Sequence, residues 1–114
     1  MAHKAILITG PVGCGKSRLA RELAEWLGGT IAEMDDHELM GHFAFAAEPN
    51  VVIVEECRNL DAIKRIVTSD MIRCERKGEN PKEIPVPHII CTMLEPPDEI
   101  GRRFIHIPLT GGTR

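Results

Sequence analysis

A chain of 114 residues has room for one domain and one hydrophobic core, and 43% hydrophobic with 27% charged residues excludes a disordered tract, although Tyr is absent. The formal charge of −3 gives no global attraction to nucleic acid or to an acidic membrane, so any such contact has to come from a local basic patch. No apolar run approaches the ~18 residues of a membrane span, the start has no signal-peptide pattern, and Cys14, Cys57, Cys74 and Cys91 form neither a C-x-x-C pair nor a metal-ligand spacing. The chain reads as intracellular, with free thiols and no membrane partner.

In chain order, Ala5-Ile6-Leu7-Ile8 comes first, and it is matched later by Val51-Val52-Ile53-Val54 and His88-Ile89-Ile90-Cys91. Apolar residues at consecutive positions suit parallel strands buried on both faces. After the first run, Leu19, Leu23 and Leu27 recur every four residues while Arg18, Arg21, Glu22 and Glu25 take other faces. That pattern predicts an amphipathic helix over 16–27, ended by Gly28-Gly29. The alternating runs over 30–34 and Phe104-Ile105-His106-Ile107 suit edge strands. Residues 36–47 and 60–68 read as further helices, the first stopped by Pro49 and weakened by Gly41. Strands alternating with helices imply a doubly wound α/β sheet. Residues 71–76 and 83–86, around Lys77-Gly78-Glu79-Asn80-Pro81, break that alternation and predict a β-hairpin inserted at about 71–87 in a single domain spanning 1–114.

The chemistry is concentrated in Gly10-Pro11-Val12-Gly13-Cys14-Gly15-Lys16-Ser17, which matches G-x-x-x-x-G-K-[ST] after a buried strand and at a helix start. Glycines let such a loop turn its N–H groups onto phosphate oxygens, and the helix start adds a favourable dipole. Lys16 would reach the β- and γ-phosphates and Ser17 would hold Mg²⁺, so ATP and Mg²⁺ are the expected ligands, with Arg18 closing the binding set. A glycine-rich turn with a chance Lys-Ser is the plain alternative, and both flanks weigh against it. The strand "VVIVEE" ends in carboxylates at the sheet edge where α/β folds bind ligands. Glu55 would orient the metal and Glu56 would polarise an attacking water, unless the two merely face solvent. Arg102 and Arg103, singly a solvated pair, precede the last strand. In a ring of ATPases such an arginine reaches a neighbour's γ-phosphate.

Weaker features have plain readings. His37 and His42 are five positions apart, about 140° around a helix, and cannot share a metal. Asp35 and Asp36 fit either an acidic substrate contact or a helix cap, with capping favoured. Trp26 reads as packing beside Leu27, and His3, His88 and His106 as surface or strand residues. Cys14 is a small residue facing the nucleotide, its thiol close to Lys16 and a helix start. Residues 110–114 read as a frayed tail.

Taken together, "GPVGCGKS", "VVIVEE", the run "IKRIVTSDMIRCERKGENPKEIPVPHIICT" and "RRFIHIPL" resemble the AAA+ class of P-loop ATPases, over about residues 4–109. The likeness is strongest to the superfamily 3 helicases of small viruses and phages and to related primase-helicase ATPase domains. The resemblance implies a three-layer α/β/α sandwich with five parallel strands in the order 5-1-4-3-2. It implies catalysis by Lys16 and Glu56, with Arg102 or Arg103 acting across a subunit contact in a homo-oligomer. It also implies a hairpin whose Arg73, Arg76, Lys77 and Lys82 grip single-stranded DNA or RNA, and a cytoplasmic site of action, the host cytoplasm for a virus. Three departures bear on activity. Leu94 stands where the family has an Asn that contacts γ-phosphate and water, with Thr92 the substitute in a shifted register. Glu55 replaces the more usual Asp. The family's preceding domain and helical lid have no counterpart, so a partner would supply them. The expectation is ATP binding with slow Mg²⁺-dependent hydrolysis; the rivals are a small-molecule or nucleoside kinase and a non-hydrolysing nucleotide-gated module.

Overall fold

Consecutive apolar residues put side chains on both faces of a strand, and the three strands built that way occupy the interior of one parallel sheet. A computed structural model of the chain describes residues 5–41 and 43–110; His3, His42 and residues 111–114 of the tail lie outside that range. The elements are β1 (Ala5–Thr9), α1 (Lys16–Leu27), β2 (Ile31–Met34), α2 (Asp36–Leu39), β3 (Val51–Val54), α3 (Asp61–Val67), β4 (Met71–Cys74), β5 (Lys82–Pro85), β6 (His88–Met93) and β7 (Phe104–Pro108). The sheet runs β2-β3-β6-β1-β7, all parallel, with Ile6 beside Ile90 and Val52 beside Ile89. The alternating runs form its two edges.

The two-residue period of a strand divides the core. Val52, Val54, Ile89 and Cys91 face a cluster completed by Leu39 of α2 and by Ile63 and Val67 of α3. Val51, Ile53, Ile90 and Ile8 face Ala20 and Ala24 of α1, flanked by Leu19, Leu23 and Leu27. Small alanines let α1 lie close to the sheet. Trp26 sits two residues past Ala24, about 200° around the helix, and is 83% exposed rather than packed. The packing assigned to it from the sequence is therefore corrected.

β4 and β5 pair antiparallel, Met71 opposite Pro85 and Cys74 opposite Lys82. This hairpin buries Cys74 and Ile84 in the α3-side cluster. The helix expected over 36–47 ends at Leu39. Beyond it the amides of Met40, Gly41, Ala44, Ala46 and Glu48 donate to the carbonyls three residues earlier. Gly41 carries the largest helix penalty short of proline, and the chain continues instead as successive tight turns that end with Glu48 at a left-handed φ of 50°. No helix among the described residues is long and apolar enough to cross a membrane.

Candidate functional site

The site is built where β1 stops and α1 begins. A Cβ on Gly10 would lie 2.6 Å from Cys14 Sγ and 2.8 Å from the Leu109 carbonyl oxygen, so only glycine fits between the loop and the end of β7. Gly13 and Gly15 take φ of 84° and 94°, the left-handed region. Together these conformations turn Pro11, Val12 and Cys14 back over the start of α1, with the Cys14 amide donating to Pro11 O at 3.2 Å. Gly15 caps α1 without a side-chain bond. Among the described residues, the amides of Gly13, Gly15, Lys16, Ser17 and Arg18 donate to no protein acceptor. The loop is a nest of free donors at the positive end of a 12-residue helix.

Lys16 Nζ donates to Gly10 O at 2.7 Å and to Pro11 O at 3.1 Å, folding its charge onto the loop. Ser17 Oγ donates to Glu55 Oε1 at 2.5 Å. One helical turn on, Arg21 Nη2 lies 3.7 Å from Glu55 Oε2 while its Nε donates to Glu33 Oε2 at 3.2 Å. The hydrogen bond to Glu33, with the charges of Glu33 and Glu55, raises the Arg21 pKa further. Arg18 is exposed and pairs with Glu22.

Beyond Glu55 the chain makes a strained turn. Glu56 has a φ of 52°; its amide donates to Thr92 Oγ1 at 3.0 Å, and the Cys57 amide donates to Thr92 O at 2.8 Å. Thr92 is 2% exposed and its hydroxyl is committed to this turn. Leu94, where the resemblance to superfamily 3 helicases would put an Asn, is 58% exposed. The loop, this turn and the end of β6 enclose a cavity of about 680 Å³ into which Lys16, Ser17, Glu56, Arg58, Thr92 and Leu94 open. Among the described residues no three His, Cys, Asp or Glu side chains gather closely enough to hold a metal unaided.

Other expected site residues lie elsewhere. Arg102 and Arg103 precede β7, and the Ala5 amide donates to Arg103 O at 2.7 Å. They therefore stand at the amino end of β1, whose five residues put roughly 16 Å between them and the glycine loop. Within one chain they do not join Lys16 and Glu56, so any action on a nucleotide site would be on that of another copy. One Nη1 of Arg103 is buried without a partner among the described residues. In the hairpin, Arg76 Nη2 and Lys82 Nζ both meet Glu48 Oε2, at 2.6 and 2.7 Å, and Arg76 Nε donates to Ala46 O. The hydrogen bond from Lys82 and the charges of Lys82 and Arg76 hold the Glu48 carboxyl below the usual range against its desolvation. Arg73 pairs with Glu75 at 3.3 Å, and Lys77 is exposed in the hairpin turn. Asp35 forms a reciprocal cap with Glu38, and Asp36 Oδ2 accepts from the Arg58 amide at 2.9 Å.

Sequence reasoning missed Arg21, Glu48 and Arg58. Only Arg21 left a signal, four residues after Ser17 and so on the same helix face. The partners of Glu48 are 28 and 34 positions away, beyond any local pattern.

No curated protein matches the sequence. Among solved structures, the chain is similar to the apo A form of the NrS-1 C-terminal region, with a TM-score of 0.75 and 20% identity, covering 94% of this chain and 29% of that one. A second structure of that region gives 0.73 and 21%, over 93% and 28%. The JCV helicase, bound to a small acetamide compound, gives 0.68 and 23%, over 96% and 36%. The fold is thus shared with a segment of a helicase, and this chain spans between 28% and 36% of the length of those three chains. Residues 8–103, which carry the glycine loop, Glu55, the cavity and the hairpin, match a single sequence family, and the chain belongs to DUF5906, a family of unknown function.

Proposed function

We propose that the chain binds ATP with Mg²⁺ in the loop over residues 10–17 and is the P-loop ATPase core of a superfamily 3 helicase-like, AAA+ protein that hydrolyses ATP slowly. The observation that carries this reading is the set of unpartnered amides at the start of α1, converging with Lys16 and the Ser17–Glu55 pair at the carboxyl edge of a parallel sheet. Phosphate oxygens are the ligand such a nest accepts. They are also stronger acceptors for Lys16 than the neutral carbonyls it now meets. A hydroxyl beside a carboxylate is a hard-oxygen donor set suited to Mg²⁺, which Ser17 and Glu55 would hold, and which would neutralise phosphate charge. Glu56, exposed beside the cavity, is the base toward water.

Arg102 and Arg103 would act on the site of another copy, so the active form is a homo-oligomer or a complex with a partner that supplies further domains. A single chain is then a poor catalyst. Single-stranded DNA or RNA would be gripped by Arg73 and Lys77, and by Arg76 and Lys82 once these leave Glu48. Free thiols and a triphosphate ligand suit the cytoplasm. Leu94 favours a second reading, a nucleotide-gated module without hydrolysis, because a leucine cannot hold the catalytic water. The kinase alternative loses support, since Asp35 and Asp36 already accept backbone amides.

Calorimetry with MgATP tests the proposal. Binding is expected for the wild type and lost in Lys16→Ala; retained affinity in that variant would refute the site. Phosphate release with and without single-stranded nucleic acid separates the ATPase from the silent module.

A further inference from the structure

The wall of the cavity facing the glycine loop is made of the turn after β3 and the end of β6. Its side chains are carboxylates (Glu56, Glu95), apolar or sulfur groups (Cys57, Met93, Leu94), a buried hydroxyl already committed (Thr92), and Arg58. Among the described residues on that wall, Arg58 alone brings a cationic donor. Its backbone is held in place. The turn before it is fixed by the Glu56 and Cys57 amides on Thr92, its own amide donates to Asp36 Oδ2 at 2.9 Å, and the Cys57 thiol donates to Asn59 O at 3.2 Å. Arg58 is thus anchored on both sides, to β6 and to the first residue of α2.

The guanidinium itself is in no ion pair among the described residues, whereas Arg18, Arg21, Arg73, Arg76 and Lys82 each have one. An arginine left unpaired opposite a nest of free amides has its natural counter-ion in what the nest binds. Loop amides and Lys16 line the cavity on its β1–α1 side; Arg58, an exposed residue that also borders a smaller pocket with Asp35, Asp36, Glu55 and Glu56, lines it on the opposite wall, within reach of an end that projects from the loop.

We infer that Arg58 binds the terminal phosphate of the nucleoside triphosphate from within the same chain. This rests on the nucleotide site proposed above and deepens it. Arg58 supplies a polar contact on the wall where Leu94 cannot, and it makes the site distinguish a triphosphate from a diphosphate. A guanidinium does so through two parallel N–H donors, which a lysine cannot reproduce.

Calorimetry with MgATP and MgADP on the wild type, Arg58→Ala and Arg58→Lys tests this. Arg58→Ala is expected to weaken ATP binding by roughly ten- to a hundredfold while ADP affinity stays within about twofold. Arg58→Lys should recover part of the loss. Should Arg58→Ala fail to fold, Arg58→Gln keeps the stem and removes the charge, and the same ATP-to-ADP ratio is read. Equal weakening of both nucleotides, or no change in ATP affinity, overturns the role of Arg58 while leaving the site standing. A wild type that binds neither nucleotide overturns the site and Arg58 with it.

Discussion

Replacing Thr92 by valine keeps the shape of a buried side chain and removes one oxygen, the acceptor for the Glu56 amide at 3.0 Å. That amide opens a turn in which Glu56 sits at a φ of 52°, a conformation costing a non-glycine residue about 1–2 kcal/mol. Two bonds to Thr92 hold it there, one to the hydroxyl and one to the carbonyl. Leaving a part-buried amide unpaired costs about 1–3 kcal/mol; water reaches the exposed side of Glu56, so the lower part of that range applies, about 1–2 kcal/mol. For a domain of this size that lowers Tm by roughly 4–8 °C. Urea unfolding followed by circular dichroism measures it, with Thr92→Ser, which retains the oxygen, as the control. A second arm isolates the strain. Glu56→Gly should stabilise the wild type by about 1 kcal/mol, because glycine takes a positive φ freely. It should gain less in the Thr92→Val background, where the turn is no longer pinned. A Thr92→Val protein as stable as the wild type, or strictly additive effects in the double variant, would show that the bond does not hold the turn.

Iodoacetamide at neutral pH is expected to label Cys14 first, since it is half-buried while Cys57, Cys74 and Cys91 are buried. Burial also pushes the thiols of Cys57 and Cys91 up, Cys91 further because it is the more deeply buried, with the charge of Cys57 adding to it. Mass spectrometry should find Cys14 protected by MgATP, and earlier labelling of Cys91 would contradict the packing. Gly10→Ala forces a Cβ against the Leu109 carbonyl and should cost about 1–3 kcal/mol, whereas Gly13→Ala, with open space around its Cβ, pays only for its positive φ, about 1 kcal/mol. Thermal unfolding ranks the two, and the reverse order would refute the tight approach at Gly10. The Glu48 carboxyl has a folded pKa below its unfolded value near 4.3. Its hold on Arg76 and Lys82 is therefore complete above that value and is lost as pH falls through the folded one. Amide exchange in β4 and β5 should rise in that acid window and with added salt, and Glu48→Gln should abolish the pH step.

The interior of the fold was legible because its signals are local. Three short runs of consecutive apolar residues suit strands covered on both faces, and a glycine loop between such a strand and an amphipathic helix fixes where free amides must gather. Ser17 and Glu55 were legible as a pair for the same reason, since the carboxyl ends of β1 and β3, with β6 between them, share one edge of the parallel sheet. Residues 36–47 misled because helical propensity is a weak prior and Gly41 is enough to turn the chain into tight turns. Trp26 misled because a large apolar residue argues for burial by composition, whereas the helix face decides it.

Charge was the least legible property, because a cation is read from the sequence as available and becomes available only if no carboxylate folds back onto it. Arg76 and Lys82 carried the expected nucleic-acid contact, and Glu48 takes both. Arg58 carried no expectation, and among the described residues its guanidinium, bordering the cavity, is in no ion pair. The difference lies in what each turn does with its acids. The turns over residues 43–48 bring a glutamate under the hairpin, whereas Asp36, the acid fixed beside Arg58, accepts the Arg58 amide on Oδ2 and makes no ion pair with its guanidinium among the described residues. A phosphate entering either region meets different resistance. It must displace a carboxylate at the hairpin, and at Arg58 it meets no ion pair among the described residues. Anion binding to this chain should therefore fill the cavity first and reach the hairpin at higher concentration. In Glu48→Gln the second event should move to lower concentration without altering the first.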